Sequence, residues 1–392
     1  MDTVRAAVIG VGNIGYFHAK NIFENKVPGM TLAALCDIDE EKLVKAGVEL
    51  PGVLTYCDYR ELLTAHVADA VIIATPHYLH PPIATGALDL RYHVLIEKPA
   101  GVYAGAVREM ISAAERSGRV FGIMFNQRKN PLFRLAREIV KSGRLGEPKR
   151  LCWIITNWYR TQHYYNSSSW RATWRGEGGG VLLNQAPHNL DLLQWIFGMP
   201  SALRADCRVG RHHNIEVEDE AAIYCEYDSG ASAVFITSTG EFPGTNRLEI
   251  SGDLGKLVLE EGRLKWWRLR VPEREFCFAS DKDFDKIPFD YEEVVPEEKD
   301  TGHLGILAEF AGAILNGTEL TAPGEEGINQ LFISNAAYLS SWQGGRRVAL
   351  PPDDDEFYAE LRKHISRSAQ KKIDANTAGR DELCPERWQT NW

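Results

Sequence analysis

The chain is poor in cysteine, has no long apolar run and carries no excess of basic charge. Its seven cysteines in 392 residues (Cys36, Cys57, Cys152, Cys207, Cys225, Cys277 and Cys384) include no Cys-x-x-Cys and have no histidine at zinc-ligand spacing. An odd, scattered set of this kind argues against a disulfide framework and a structural zinc site. Buried reduced thiols in a cytoplasmic protein are expected, with no bound metal. Apolar stretches such as 70–74 fall far short of the roughly 20 residues that cross a bilayer, so neither a signal peptide nor a transmembrane helix is expected. Lys plus Arg number 44 against 54 Asp plus Glu, a net charge of −10. That leaves no basic field to neutralise a phosphate backbone, so neither nucleic acid nor an anionic membrane is an expected partner.

What is present is the composition of a globular protein, 44% apolar and 25% charged, in a chain too long for one typical core. Short apolar β-like runs at 4–10, 32–37, 70–76, 94–99 and 120–126 alternate with helix-like segments such as 79–90 and 104–117. This alternation predicts βαβ units and a parallel sheet, an α/β first domain over 1–128. After a helix over 131–142 come runs with two-residue alternation (149–159, 217–227, 231–239 and 248–252), separated by turn pairs, and then helices at 304–316 and 324–341. These predict an α+β second domain with an open, mostly antiparallel sheet over 129–350. A polar tail, 351–392, is expected to wrap the surface.

Gly10-Val11-Gly12-Asn13-Ile14-Gly15 follows the first strand and opens a helix. Its glycines permit a tight turn, close approach of a pyrophosphate and close helix packing, and the helix N-terminus offers free N–H groups to the anion. Asp37, 22 residues after Gly15 at the end of the second strand, can accept both ribose hydroxyl protons. It would repel a 2′-phosphate, and Ile38 and Asp39 supply no cation, so the expected cofactor is NAD.

Glu97-Lys98-Pro99 ends the fifth strand, where ligands of an open α/β sheet lie. Together with the glycine fingerprint, Ala74-Thr75-Pro76 with His80, Asn126-Gln127-Arg128, and Gly178-Gly179-Gly180 leading to His188 and Asp191, this triplet resembles the glucose-fructose oxidoreductase, inositol dehydrogenase and MocA family. The resemblance runs in order over about residues 4 to 350. It implies a Rossmann domain followed by an open-sheet domain, with a sugar, inositol or related polyol held between sheet and nicotinamide. It places Lys98 beside the nicotinamide and the reacting hydroxyl, and it implies cofactor contacts from Thr75, Pro76, His77, His80, Glu97 and Asn126. The Lys98 cation would stabilise a developing alkoxide.

Alcohol oxidation also releases a proton, which needs an acceptor titrating near neutrality; His188 fits that role. If the segment from residue 184 is helical, Asn184, His188 and Asp191 share one face, although Pro187 starts or kinks that helix. The family pattern places aspartate where this chain has Asn184. An amide positions a hydroxyl but accepts no proton, so the role shifts to His188 with Asp191 behind it. Upstream, the segments 157–165 and 170–175 are dense in aromatics and arginines. Arg160, His163, Tyr164, Trp170, Arg171 and Trp174 are the expected substrate contacts, flat rings meeting C–H faces and planar donors meeting hydroxyls or an acidic group. The same residue types also mark oligomer contacts. The paired His212-His213 reads as a solvated turn and Trp266-Trp267 as sheet packing.

The expected activity is NAD-dependent removal of a hydride from a secondary ring hydroxyl of a sugar, glycoside or cyclitol by a homodimer or homotetramer. One alternative uses the same site as an NAD-dependent glycosidase, working by transient C3 oxidation and elimination, with arginines suited to an anionic sugar. A lesser alternative is a non-catalytic NAD-binding sensor.

Overall fold

The computed structural model describes residues 2–369. Six strands, β1 (Val4–Ile9), β2 (Met30–Cys36), β3 (Leu54–Tyr56), β4 (Ala70–Ile73), β5 (His93–Ile96) and β6 (Phe121–Ile123), form a sheet ordered β3-β2-β1-β4-β5-β6. Every pairing in it is parallel. Helices Asn13–Phe23, His80–Asp89 and Ala104–Ser117 are among its crossovers. All four residues of β4 are buried, as a strand covered by helices on both faces must be, which is why it reads as an unbroken apolar run. The strand order reverses between β1 and β4, and ligands of such sheets lie at the carboxyl ends of the strands beside that reversal.

Nine further strands make the second sheet: β7 (Pro148–Ile155), β8 (Ala202–Val209), β9 (Glu218–Glu226), β10 (Ser232–Ser238), β11 (Asn246–Gly252), β12 (Gly255–Glu260), β13 (Arg263–Leu269), β14 (Phe289–Val294) and β15 (Val348–Ala349). Their order is β14-β13-β12-β11-β7-β10-β9-β8-β15. The sheet is mixed but mostly antiparallel, with β7 and β10 running parallel at its centre. One face is covered by helices Pro131–Lys141, Pro187–Phe197 and Gly327–Trp342; the alternation in β7, with Leu151, Trp153 and Ile155 buried between partly exposed neighbours, records that one-sided cover.

Past Leu350 the structure differs from a surface tail. Residues Asp354–Arg367 form a helix whose Phe357 and Leu361 are buried, with Phe357 and His364 stacked on Trp342. The acidic residues 353–356 within the expected polar tail begin this helix. The Asp353 side chain accepts from the Glu356 N–H at 2.8 Å, and three acidic residues fill the first turn, where the helix dipole favours them. Phe357, Leu361 and Ile365 recur at four-residue spacing on the buried side, but the charged residues that surround them masked this narrow stripe in the sequence. The thiols also differ from expectation: Cys36 and Cys225 are buried, Cys152 and Cys207 are half-buried, and Cys57 and Cys277 are exposed. Cys384 lies outside the described residues. No helix among the described residues is long and apolar enough to cross a membrane, and no group of three or more potential metal ligands converges among them.

Candidate active site

The carboxyl ends of β1, β4, β5 and β6 bring the candidate cofactor residues to one edge. Gly10 adopts φ +94°, and a Cβ there would lie 2.6 Å from the Ala74 carbonyl oxygen. A Cβ on Gly15 would lie 1.8 Å from the Gly10 oxygen, whereas one on Gly12 would meet nothing within 4 Å. Gly10 and Gly15 are therefore demanded by packing, and Gly12 faces the open space in front of the helix begun by Asn13 and Ile14. Its N-cap, Gly12, has no side chain to cap the first turn, and a helix N-terminus of this kind suits a pyrophosphate. The Asp37 carboxylate accepts from Val11 N at 2.7 Å and Asp39 N at 3.0 Å, which holds it against the glycine turn. Ile38 beside it is 92% exposed, and the position carries no cation for a 2′-phosphate.

Two buried oxygens at this edge, Thr75 Oγ1 and Asn126 Oδ1, have no hydrogen-bond partner among the described residues. Buried polar atoms are rarely left unpaired. Both therefore fit residues that a dinucleotide would complete, and NAD fits the chain's own donors and acceptors. Pro76 precedes the turn His77–Leu79. His77 and His80 are both buried and tied to main-chain oxygens. His77 Nδ1 meets the Glu177 carbonyl at 3.0 Å, while the His80 ring bridges the Pro99 and Thr75 carbonyls at 2.8 and 2.7 Å. Glu97 is also turned inward: it pairs with His18 Nε2 at 2.7 Å. Burial pushes its pKa up, but the His18 hydrogen bond and neighbouring positive charge outweigh this and hold it at about 2. These hydrogen bonds fix the loops around the cleft.

Lys98 follows β5, joined to Pro99 by a cis peptide bond. Its Nζ donates to the Asn184 carbonyl oxygen at 2.9 Å, and burial lowers its pKa. His188 stands in the first turn of the Pro187–Phe197 helix, packed edge-on against Phe125. Burial, and then the Lys98 charge, press its pKa well below 6.5, so its ring is neutral at neutral pH. Its Nδ1 is buried without a partner among the described residues. The structure thus brings Lys98, Asn184 and His188 to one place.

Asp191 is not behind His188. Its carboxylate takes a two-point bond from Arg128, Nη2 at 2.6 Å and Nε at 2.8 Å, with both side chains essentially inaccessible (0% and 1%). Gln194 also donates to it at 3.0 Å. The helix begins at Pro187, so Asn184 lies in the turn before it, and the shared face extends from residue 188 only. Arg128 further reaches Glu326 and the Thr321 carbonyl. Asp191 therefore anchors its helix to the Asn126–Lys129 turn that follows β6.

The aromatic segment divides. Around Tyr164, the guanidinium of Arg171 lies 4.3 Å and that of Arg160 5.2 Å from the ring centroid, and the Tyr164 hydroxyl faces Asn184 Oδ1 at 3.5 Å. Trp170 meets His77 edge-on at 5.8 Å. His163 is exposed on the Gln162–Asn166 helix. Trp174, expected at the substrate, is instead a core residue, with its ring 5.5 Å from both Tyr338 and Trp342 and 5.0 Å from His364. Nor is His213 solvated: it joins Asp219 at 3.0 Å and the Arg160 carbonyl at 2.8 Å, bracing the arginine. The reading from sequence passed over Glu177, a buried carboxylate bonded to the Asn184 amide. Its signal was an acid placed directly before three glycines.

The chain matches the model of the oxidoreductase family with an NAD-binding Rossmann fold over residues 4–125, and that of the GFO/IDH/MocA C-terminal domain over residues 133–258. It is 26% identical over 338 residues to the uncharacterized oxidoreductase YrbE of Bacillus subtilis, covering 85% of this chain and 93% of that one. It is 25% identical over 291 residues to the scyllo-inositol 2-dehydrogenase (NAD(+)) of the same organism, covering 73% and 80%. Among solved structures, the WlbA dehydrogenase of Chromobacterium violaceum, crystallised with NADH and UDP-GlcNAcA, superposes with a TM-score of 0.77 at 26% identity, over 90% of this chain and 97% of that one.

Proposed function

Because the chain belongs to the GFO/IDH/MocA family of NAD-binding oxidoreductases, we propose that it removes a hydride from a secondary ring hydroxyl of a sugar, glycoside or cyclitol. The observation that carries this reading is the convergence of a half-buried Lys98 ammonium and a buried, neutral His188 where the cofactor edge meets the arginine-aromatic wall. NAD, when bound, supplies the hydride acceptor. Lys98 sits beside the reacting oxygen and stabilises negative charge as it develops there. His188, uncharged because it is buried, takes the hydroxyl proton. Asn184 orients a hydroxyl through its amide, and the Tyr164 ring with Arg160 and Arg171 offers a flat face and planar donors to the sugar ring. The inositol dehydrogenase and the nucleotide-sugar dehydrogenase among its relatives support a cyclic polyol as the substrate class.

A panel of sugars, inositols and chromogenic glycosides incubated with NAD, with NADH fluorescence and aglycone release recorded together, tests this. Stoichiometric NADH without release is expected. Lys98→Ala should lose hydride transfer by about 10²-fold or more, in the range of a lost charge-stabilising donor, while still binding NADH. Release sustained by trace NAD with no net NADH would instead mean oxidation and elimination within a glycosidase. Binding of NAD without any turnover would mean a sensor. As part of the same proposal, the outer face of the second sheet, where Cys152, Ile154 and Val234 are half-exposed, meets a second copy in a homodimer or homotetramer in the cytoplasm. Light scattering reads that state directly.

A further inference from the structure

Glu177 is only 1% exposed. One carboxylate oxygen accepts from the Ala172 N–H at 2.5 Å, and the other accepts from the Asn184 side-chain amide. Burial pushes its pKa up, opposed by Arg171, by these hydrogen bonds and by Lys98. Placing a carboxyl group here is costly unless its charge or its geometry is used. Both uses converge on the candidate site. A carboxylate only accepts, so it obliges the Asn184 amide to turn its N–H toward Glu177 and its oxygen away. That oxygen then faces the Tyr164 hydroxyl at 3.5 Å, and the Tyr164 hydroxyl accepts from Gln185 Nε2 at 3.2 Å. The main-chain oxygen of the same Asn184 holds the Lys98 ammonium. One residue thus couples the buried anion to the half-buried cation.

We propose that Glu177 is a positioning residue for the oxidation: it orients the Asn184 amide so that its oxygen receives a substrate hydroxyl, and through the same residue it stands as a counter-charge to the Lys98 ammonium. Asn184 touches the substrate, and Glu177 acts through it. The charged and titratable groups near Lys98 are Glu97 on its own strand end, Tyr164 and Arg160 from the aromatic segment, Glu177 from the glycine loop, and the imidazoles of His77, His80, His188 and His303, which are neutral at neutral pH. Of the two carboxylates, Glu97 is committed to His18, which leaves Glu177 as the adjustable one. The inference rests on the proposed oxidation for its kinetic consequence, and for its electrostatic one on the contacts that join Glu177 and Lys98 to the two ends of Asn184.

Two readouts separate these. The first needs no substrate: pH-dependent acylation of Lys98 in the NAD-bound protein, read by peptide mass spectrometry. Glu177→Gln should shift the labelling curve to lower pH by about one unit, because removing a nearby opposite charge disfavours the ammonium. The second is turnover. Glu177→Gln should lower kcat by about 10-fold or more with NADH binding unchanged, and the alkaline limb of its pH profile should move down with the labelling curve. Asn184→Asp places two carboxylates in contact, which cannot both ionise freely, and should also lose activity. The double variant Glu177→Gln/Asn184→Asp restores one acid and one amide to the pair and should recover about 10-fold over Asn184→Asp. Coincident labelling curves for wild type and Glu177→Gln would overturn the inference, even if activity falls, since that pattern marks a structural strut. A double variant no better than Asn184→Asp would overturn it too. If the wild type oxidises nothing in the panel, the proposed function fails, while the labelling curves still decide the role of Glu177.

Discussion

Replacing Asp191 by asparagine should damage stability and leave the proton chemistry alone. The carboxylate is paired at two points with Arg128, and neither side chain is reached by solvent. The amide presents one oxygen and one N–H where two oxygens stood, so one guanidinium N–H is left facing a donor and the buried cation loses its buried counter-charge. Breaking a buried pair from one side costs about 3–5 kcal/mol. Glu326 still holds the other guanidinium nitrogen, and its side chain is 40% exposed, which places the expected loss at the lower end, about 3 kcal/mol. For a domain of this size that corresponds to a fall in Tm of roughly 6–12 °C. Calorimetry measures the shift, and the pH profile of kcat/KM, taken well below the new Tm, measures the chemistry. The acid limb should coincide with that of the wild type. Arg128→Met/Asp191→Leu should be less destabilised than Asp191→Asn, because an apolar pair leaves no buried charge uncompensated. A Tm within 2 °C of wild type, together with a roughly 100-fold loss of kcat and a displaced acid limb, would refute this reasoning and put Asp191 behind His188 after all.

Because burial holds the pKa of His188 well below 6.5, protonation removes the acceptor only below that pH. The acid limb of kcat/KM should therefore be centred below 6.5 and be lost in His188→Gln; a limb centred at 7 or above would contradict this. Trp174→Ala, which opens the cluster with Tyr338, Trp342 and His364, should cost about 3–5 kcal/mol while leaving KM unchanged in the folded protein, as differential scanning fluorimetry with kinetics at low temperature would show.

Local pattern carried the nucleotide half of the protein. A glycine fingerprint between strand and helix, an acid at the end of the next strand and buried apolar runs are constraints that neighbouring residues impose on one another, and so they are legible in order along the chain. Lys98 and His188 were legible for the same reason, since each sits at the end or start of an element that the pattern defines. What tertiary structure decided was which partner each charged or polar group takes. Asp191, three residues from His188, turned to an arginine 63 positions away, because a buried guanidinium attracts the nearest carboxylate whatever its place in the sequence. Trp174 left the substrate wall for a core completed by the Asp354–Arg367 helix, and that helix was concealed by its own charged surface. Glu177 gained its meaning only when the glycine loop folded it onto Asn184. Periodicity sets the elements, whereas long-range pairing in a low-dielectric interior sets which of their side chains are left for chemistry.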